Sequence, residues 1–65
     1  MKIIVHTKYG VFSSKEQDYE DKLYEELCGM IDQLAKAKYF CFDSENGMIF
    51  LTEKMIQDSL FVIEK

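Results

Sequence analysis

Between Lys2 and Lys8 the chain crowds β-branched residues, Ile3, Ile4, Val5 and Thr7, whose shape favours extended backbone. Gly10 interrupts the run and Val11-Phe12 resumes it, which predicts a strand, a turn around Lys8-Tyr9-Gly10 and a short return strand. Ser13 with Glu16, or Ser14 with Gln17, has capping-box spacing, so a helix is expected to open there. A start nearer Tyr19 is the alternative if the strand runs on through Ser14. Downstream the period is helical. Tyr19, Leu23, Leu27, Met30, Leu34 and Ala37 form one apolar ridge and Tyr24, Cys28, Ile31 and Ala35 a second beside it. Glu20, Asp21, Lys22, Glu25, Glu26, Asp32, Gln33 and Lys36 lie mostly opposite. Gly29 costs such a helix about 1 kcal/mol relative to Ala, and a close backbone approach to a sheet is the expected reason for it.

After Lys38 the period changes from 3.6 to 2. Tyr39-Phe40-Cys41-Phe42-Asp43 and Met48-Ile49-Phe50-Leu51 flank Asn46-Gly47, a strong hairpin signal. With Asn46-Gly47 as a two-residue loop, Glu45 falls opposite Met48, Ser44 opposite Ile49, Asp43 opposite Phe50 and Phe42 opposite Leu51. Thr52–Asp58 predicts a short helix and Ser59–Ile63 a closing strand. The fold class expected for residues 1–65 is a single small α+β domain, ordered strand, short strand, long helix, β-hairpin, short helix, strand. Its long amphipathic helix packs on an antiparallel or mixed sheet.

The hairpin alternation has a consequence for function. Phe40, Phe42, Ile49 and Leu51 share one face, while Tyr39, Cys41, Met48 and Phe50 share the other. A half-solvated antiparallel sheet normally alternates apolar with polar, yet both sets are apolar. One long helix covers only one face. Either the short helix and the N-terminal hairpin fold over the second, or that face is a surface for self-association or a partner. Tyr39, Cys41, Met48 and Phe50 are therefore the candidate interface. A homo-oligomer is expected, because a domain this small gains most from association.

Composition narrows the rest. The chain has 65 residues, 48% of them hydrophobic and 14% aromatic, with no Pro, too apolar for a disordered tail. Twelve acids against eight bases, all of them Lys, give a net charge of −4. Direct nucleic-acid binding is not expected of such a chain, which also lacks the guanidinium fork for phosphate. Charge is concentrated. Between Glu16 and Glu26 stand six of the twelve acids and one base, Lys22. Acids at a helix start complement the macrodipole, so this is a solvated face or, alternatively, a recognition strip of Glu20, Asp21, Glu25 and Glu26 for a basic partner groove. The apolar runs Tyr39–Phe42, Met48–Leu51 and Leu60–Ile63 are far short of a membrane span, and Met1–Lys8 turns polar too soon for a signal peptide. A cytoplasmic protein without membrane contact is expected.

Catalytic chemistry has little to build on. His6 is the single histidine, and Cys28 and Cys41 are too few for a disulfide scaffold or a zinc site; at helix and strand positions they read as small buried hydrophobes. Cys28 or Cys41 with His6 as nucleophile and base has no local support, and Gly10, Gly29 and Gly47 form no phosphate-cradling loop. No enzyme activity, metal or cofactor is expected. Met30, Met48 and Met55, with Tyr9, Tyr24 and Tyr39, are either core or contact residues.

The passage Glu45–Ile63, ENGMIFLTEKMIQDSLFVI, resembles a pattern in small proteins of phages and prophages of Gram-positive bacteria. Those also open on a Lys-Ile-rich strand and carry an acidic amphipathic helix in the middle. The resemblance implies an accessory role, such as an inhibitor of a host protein or a counter-defence factor, and transfers no functional residue. The reading is a non-enzymatic binding protein acting as a homo-oligomer on a macromolecular partner, in all expectation another protein. Two alternatives stand beside it. One is a protein that sequesters a small, nucleotide-like signal in an inter-subunit pocket held by Lys8, Lys38, Lys54 and the tyrosines. The other is a structural subunit whose edge strands pair with neighbours.

Overall fold

Two hairpins and two helices follow one another along the chain: β1 (Lys2–Thr7), β2 (Gly10–Ser13), α1 (Asp21–Gln33), a 3-10 turn (Leu34–Lys36), β3 (Tyr39–Ser44), β4 (Gly47–Thr52), α2 (Glu53–Gln57) and β5 (Leu60–Glu64). The computed structural model describes residues 1–65. Every strand pairing is antiparallel, so the domain is α+β. The strands do not form one sheet. β2-β1-β5 make a three-stranded sheet and β3-β4 a separate two-stranded one. They are joined by a single bridge between Ser14 and Ser44.

The two serines explain why the helix opens late. Ser14 N donates to Ile3 O at 2.9 Å and its Oγ accepts the Ile3 N–H at 2.9 Å, while Ser13 O accepts the Glu45 N–H at 3.2 Å. Both residues are committed to joining strands, so the expected capping box does not form. Residues 15–20 instead run as a strap along the start of β1, where Gln17 N donates to Met1 O at 2.9 Å. Helix α1 begins at Asp21, with Glu20 as its N-cap and no side-chain cap bond. Its apolar ridges hold to the C-terminal end, where the last turn tightens at Leu34.

The hairpin β3-β4 also differs in register from the expectation. The observed partners are Ser44↔Gly47, Asp43↔Met48, Phe42↔Ile49, Cys41↔Phe50, Phe40↔Leu51 and Tyr39↔Thr52. The loop is Glu45-Asn46, and Gly47, with φ +122°, already belongs to the strand. Ser44 decides this: its Oγ accepts the Asn46 N–H at 3.1 Å and donates to Gly47 O at 2.6 Å. The first hairpin repeats the device. Thr7 Oγ1 accepts the Tyr9 N–H at 3.0 Å and donates to Gly10 O at 2.9 Å, with Gly10 at φ +140°. Each turn thus has a hydroxyl residue before it and a glycine three positions on. Side chains strain at positive φ, which is why glycine stands there.

Ile3, Val5, Leu34, Leu51 and Ile56 form the buried cluster, with Leu27, Met30, Ile31, Phe40, Phe42, Ile49 and Phe61 packed around it. Phe61 stands edge-on to Phe40, ring centroids 5.9 Å apart, tying β5 to the hairpin. Only seven of 65 residues are buried, and none of them is in α1. The slab-like shape, 30 × 25 × 16 Å between Cα extremes, leaves room for one apolar layer. Gly29 meets no close backbone: a Cβ built there would touch nothing within 4 Å. The expected close approach is absent.

Candidate functional site

The outer face of β3-β4 collects the four residues that alternation placed together. Tyr39 is 72% exposed, Phe50 69% and Met48 53%, and Cys41 is exposed as well. Cys41 lies directly across from Phe50 and Asp43 across from Met48. The observed register moves each partner by two residues from the expected one, and a shift of two preserves the face. Neither α2 nor the N-terminal hairpin covers this surface. α2 packs on the opposite side, where its Ile56 is buried with Leu51, and β1-β2 belong to the other sheet. Cys41 is thus an exposed thiol and Cys28 a half-buried one, contrary to the expectation that both are buried.

Ion pairs stand at two corners of the hairpin. Lys15 Nζ lies 3.3 Å from Asp43 Oδ2, and Lys38 Nζ lies 3.2 Å from Glu53 Oε2. Both pairs are well exposed, so each contributes at most about 1 kcal/mol.

The acidic residues Glu20, Asp21, Glu25 and Glu26 are all exposed, and neither ion pair involves them. They do not form one strip. Glu20 precedes the helix, Asp21 and Glu25 stack one turn apart, and Glu26 turns about 100° away, on the side of Lys22. Two tyrosines frame this end of α1. Tyr19 and Tyr24 rings lie 6.2 Å apart, and Lys65 Nζ sits 4.3 Å from the Tyr24 centroid and 5.6 Å from that of Tyr19. Hydrogen bonding with Asp21 raises the Tyr19 pKa above its ordinary value, and hydrogen bonding with Cys28 raises that of Tyr24.

His6 lies exposed on the outer face of β1, across from Val11 and Leu60, on a different sheet from Cys41. No three His, Cys, Asp or Glu side chains converge where they could hold a metal ion. The lysines considered for a small ligand are dispersed. Lys38 is engaged with Glu53, Lys8 covers Tyr9 at 5.3 Å, and Lys54 stands on α2. The most enclosed sizeable hollow, about 250 Å³, is a groove lined by Met1, Ser14, Lys15, Leu27 and Phe42 among others, and none of those three lysines reaches it.

One residue of structural weight escapes the sequence reading. Ser44 is 3% exposed, and its hydroxyl closes the hairpin turn at the joint between the sheets. The spacing of a hydroxyl residue three positions before Gly47, matching Thr7 before Gly10, is the signal that marks it. Val11 and Leu60, both exposed, flank His6 on the outer face of the three-stranded sheet.

No family model, no curated protein and no solved structure matches the chain. No helix is long and apolar enough to cross a membrane.

Proposed function

We propose that this chain is a non-enzymatic binding protein of the phage or prophage accessory type. It self-associates and acts by occupying a macromolecular partner. The reading is supported by one observation above others: Tyr39, Cys41, Met48 and Phe50 stand together on a sheet face that nothing in the chain covers. Large aromatic side chains held on a regular strand lose little entropy on contact and anchor interfaces well. The chain exposes 4705 Å², against about 4,300 Å² for a folded monomer of this mass. The surplus is in keeping with a surface meant to be covered. The exposed acids at the start of α1 supply a second, electrostatic element for a partner with a basic groove.

The test is co-purification from a native host lysate, comparing the wild-type chain with Tyr39→Lys and with the pair Glu25→Lys and Glu26→Lys. A partner recovered in stoichiometric amount with the wild type, and lost with Tyr39→Lys at unchanged melting temperature, is the expected result. Equal recovery with Tyr39→Lys overturns the hairpin face as the contact. Equal recovery with the charge-reversed pair removes the acidic element. A tightly bound nucleotide-like molecule in place of a macromolecule overturns the reading.

A further inference from the structure

Strand β4, Gly-Met-Ile-Phe-Leu-Thr, is bonded on one side only. It pairs with β3 and with no other strand, and none of the seven backbone hydrogen bonds outside the helices and strands involves it. The two-residue turn fixes which groups are left over. Ser44↔Gly47 flanks the turn and is a hydrogen-bonded pair, so along the antiparallel ladder Gly47, Ile49 and Leu51 bond to β3. Glu45 agrees with this assignment, because its N–H points away from β4 to Ser13 O. Met48, Phe50 and Thr52 therefore direct their N–H groups into solvent along the free edge, as do the carbonyls of Met48 and Phe50.

Natural edge strands are blunted by charge, proline, a bulge or a covering loop. β4 has none of these. Gly47–Thr52 contains no charged residue and no Pro, and its register with β3 runs without a bulge. A row of unpaired donors and acceptors is satisfied by another strand, and a strand meets its own copy antiparallel about a two-fold axis with automatic self-complementarity.

We infer that two copies of this chain pair through β4, edge to edge and antiparallel, with Phe50 on the two-fold axis. Phe50 faces Phe50 of the second copy and exchanges two backbone hydrogen bonds with it. The Thr52 N–H of each copy donates to the Met48 carbonyl of the other. Charge favours this register over one of its neighbours. Glu53 then falls opposite Gly47, and no carboxylate meets a carboxylate. Sliding by one pair to set Met48 opposite Phe50 would place Glu45 against Glu53. The edge itself adds no charge to the repulsion between two chains of net charge −4. The result is a four-stranded sheet on which both outer faces point the same way, so the apolar surface doubles and stays open to a partner. This deepens the self-association proposed above and names its interface.

The test uses the full chain. Sedimentation velocity over the micromolar range is expected to show a monomer–dimer equilibrium. Thr52→Pro should weaken it about tenfold by removing one donor from each copy, with Thr52→Ala unchanged. Thr52 has φ −80° and its side chain makes no cap bond, so proline fits the backbone and the alanine control loses nothing local. Tyr39→Lys, which alters the face and not the edge, should leave the dimer intact. A dimer lost with Tyr39→Lys and kept with Thr52→Pro overturns the edge pairing while leaving the hairpin face as a contact. A wild-type monomer at high micromolar concentration overturns it outright. Crosslinking is independent of these variants. With Cys28→Ser and Cys41→Ser as background, Phe50→Cys should form a dimer under mild oxidation, since facing hydrogen-bonded residues have Cα atoms about 5.5 Å apart. Met48→Cys should not, its two copies lying four residues or about 13 Å apart along the strands. The reverse pattern, or no crosslink from Phe50→Cys, overturns the pairing.

Discussion

Gly29 shows what a single position reveals once its surroundings are known. It sits in the interior of α1, exposed, with open space where a Cβ would stand. Neither a turn nor a close neighbour requires it. Gly29→Ala is therefore expected to stabilise the chain by about 1 kcal/mol, raising the melting temperature by about 4–8 °C. Thermal unfolding followed by circular dichroism reads this directly, and a fall in melting temperature would mean the glycine has a structural role after all. Gly10 and Gly47 are the contrast. Both hold positive φ, and each follows a hydroxyl residue by three positions, so alanine there would strain the turn.

Among the elements, the strands of the N-terminal sheet and the long helix differ in how firmly they are held. β1 buries Ile3 and Val5 between two bonded neighbours, whereas α1 has no fully buried residue. Amide hydrogen exchange should find β1 the most protected element and the first turns of α1 among the least. Uniform protection across both would show that the helix is held more tightly than its packing suggests. The helix span from Leu23 to Leu34 was legible in the chain because four apolar residues, Leu23, Leu27, Met30 and Leu34, kept a step of three or four. The hairpin's two faces were legible too, even with the loop misplaced, because side chains alternate with period 2 and the error was two residues. The start of α1 was not. Ser13 and Ser14 have cap spacing, but long-range partners, Ile3 and Glu45, take their hydrogen-bonding groups. The split into two sheets was hidden for the same reason, since one bridge between Ser14 and Ser44 leaves no periodic trace. The candidate face could be read from alternation alone. The free edge of β4 could not, because which strand ends a sheet is a property of topology.

At the scale of the whole molecule, charge and shape set the conditions under which copies meet. Each chain carries a net charge of −4, with a pI near 4.8, and the edge of β4 is neutral. In the dimer inferred above, repulsion between copies is thus a general field, while attraction is local, through backbone hydrogen bonds along a neutral edge. Added salt screens the first and leaves the second, so self-association should strengthen as sodium chloride is raised at neutral pH. Sedimentation at two ionic strengths checks this, and association that weakens with salt would point to charge pairs across the interface. The thin interior has a consequence of another kind. With seven buried positions, Met1, Ile3, Val5, Leu34, Ser44, Leu51 and Ile56, and a modest ring of half-buried neighbours, most of the chain is free of the packing constraint that makes substitutions costly. Heritable change can redraw the exterior, face and edge included, while the chain goes on folding. Such a scaffold can change its surface through many small sequence steps.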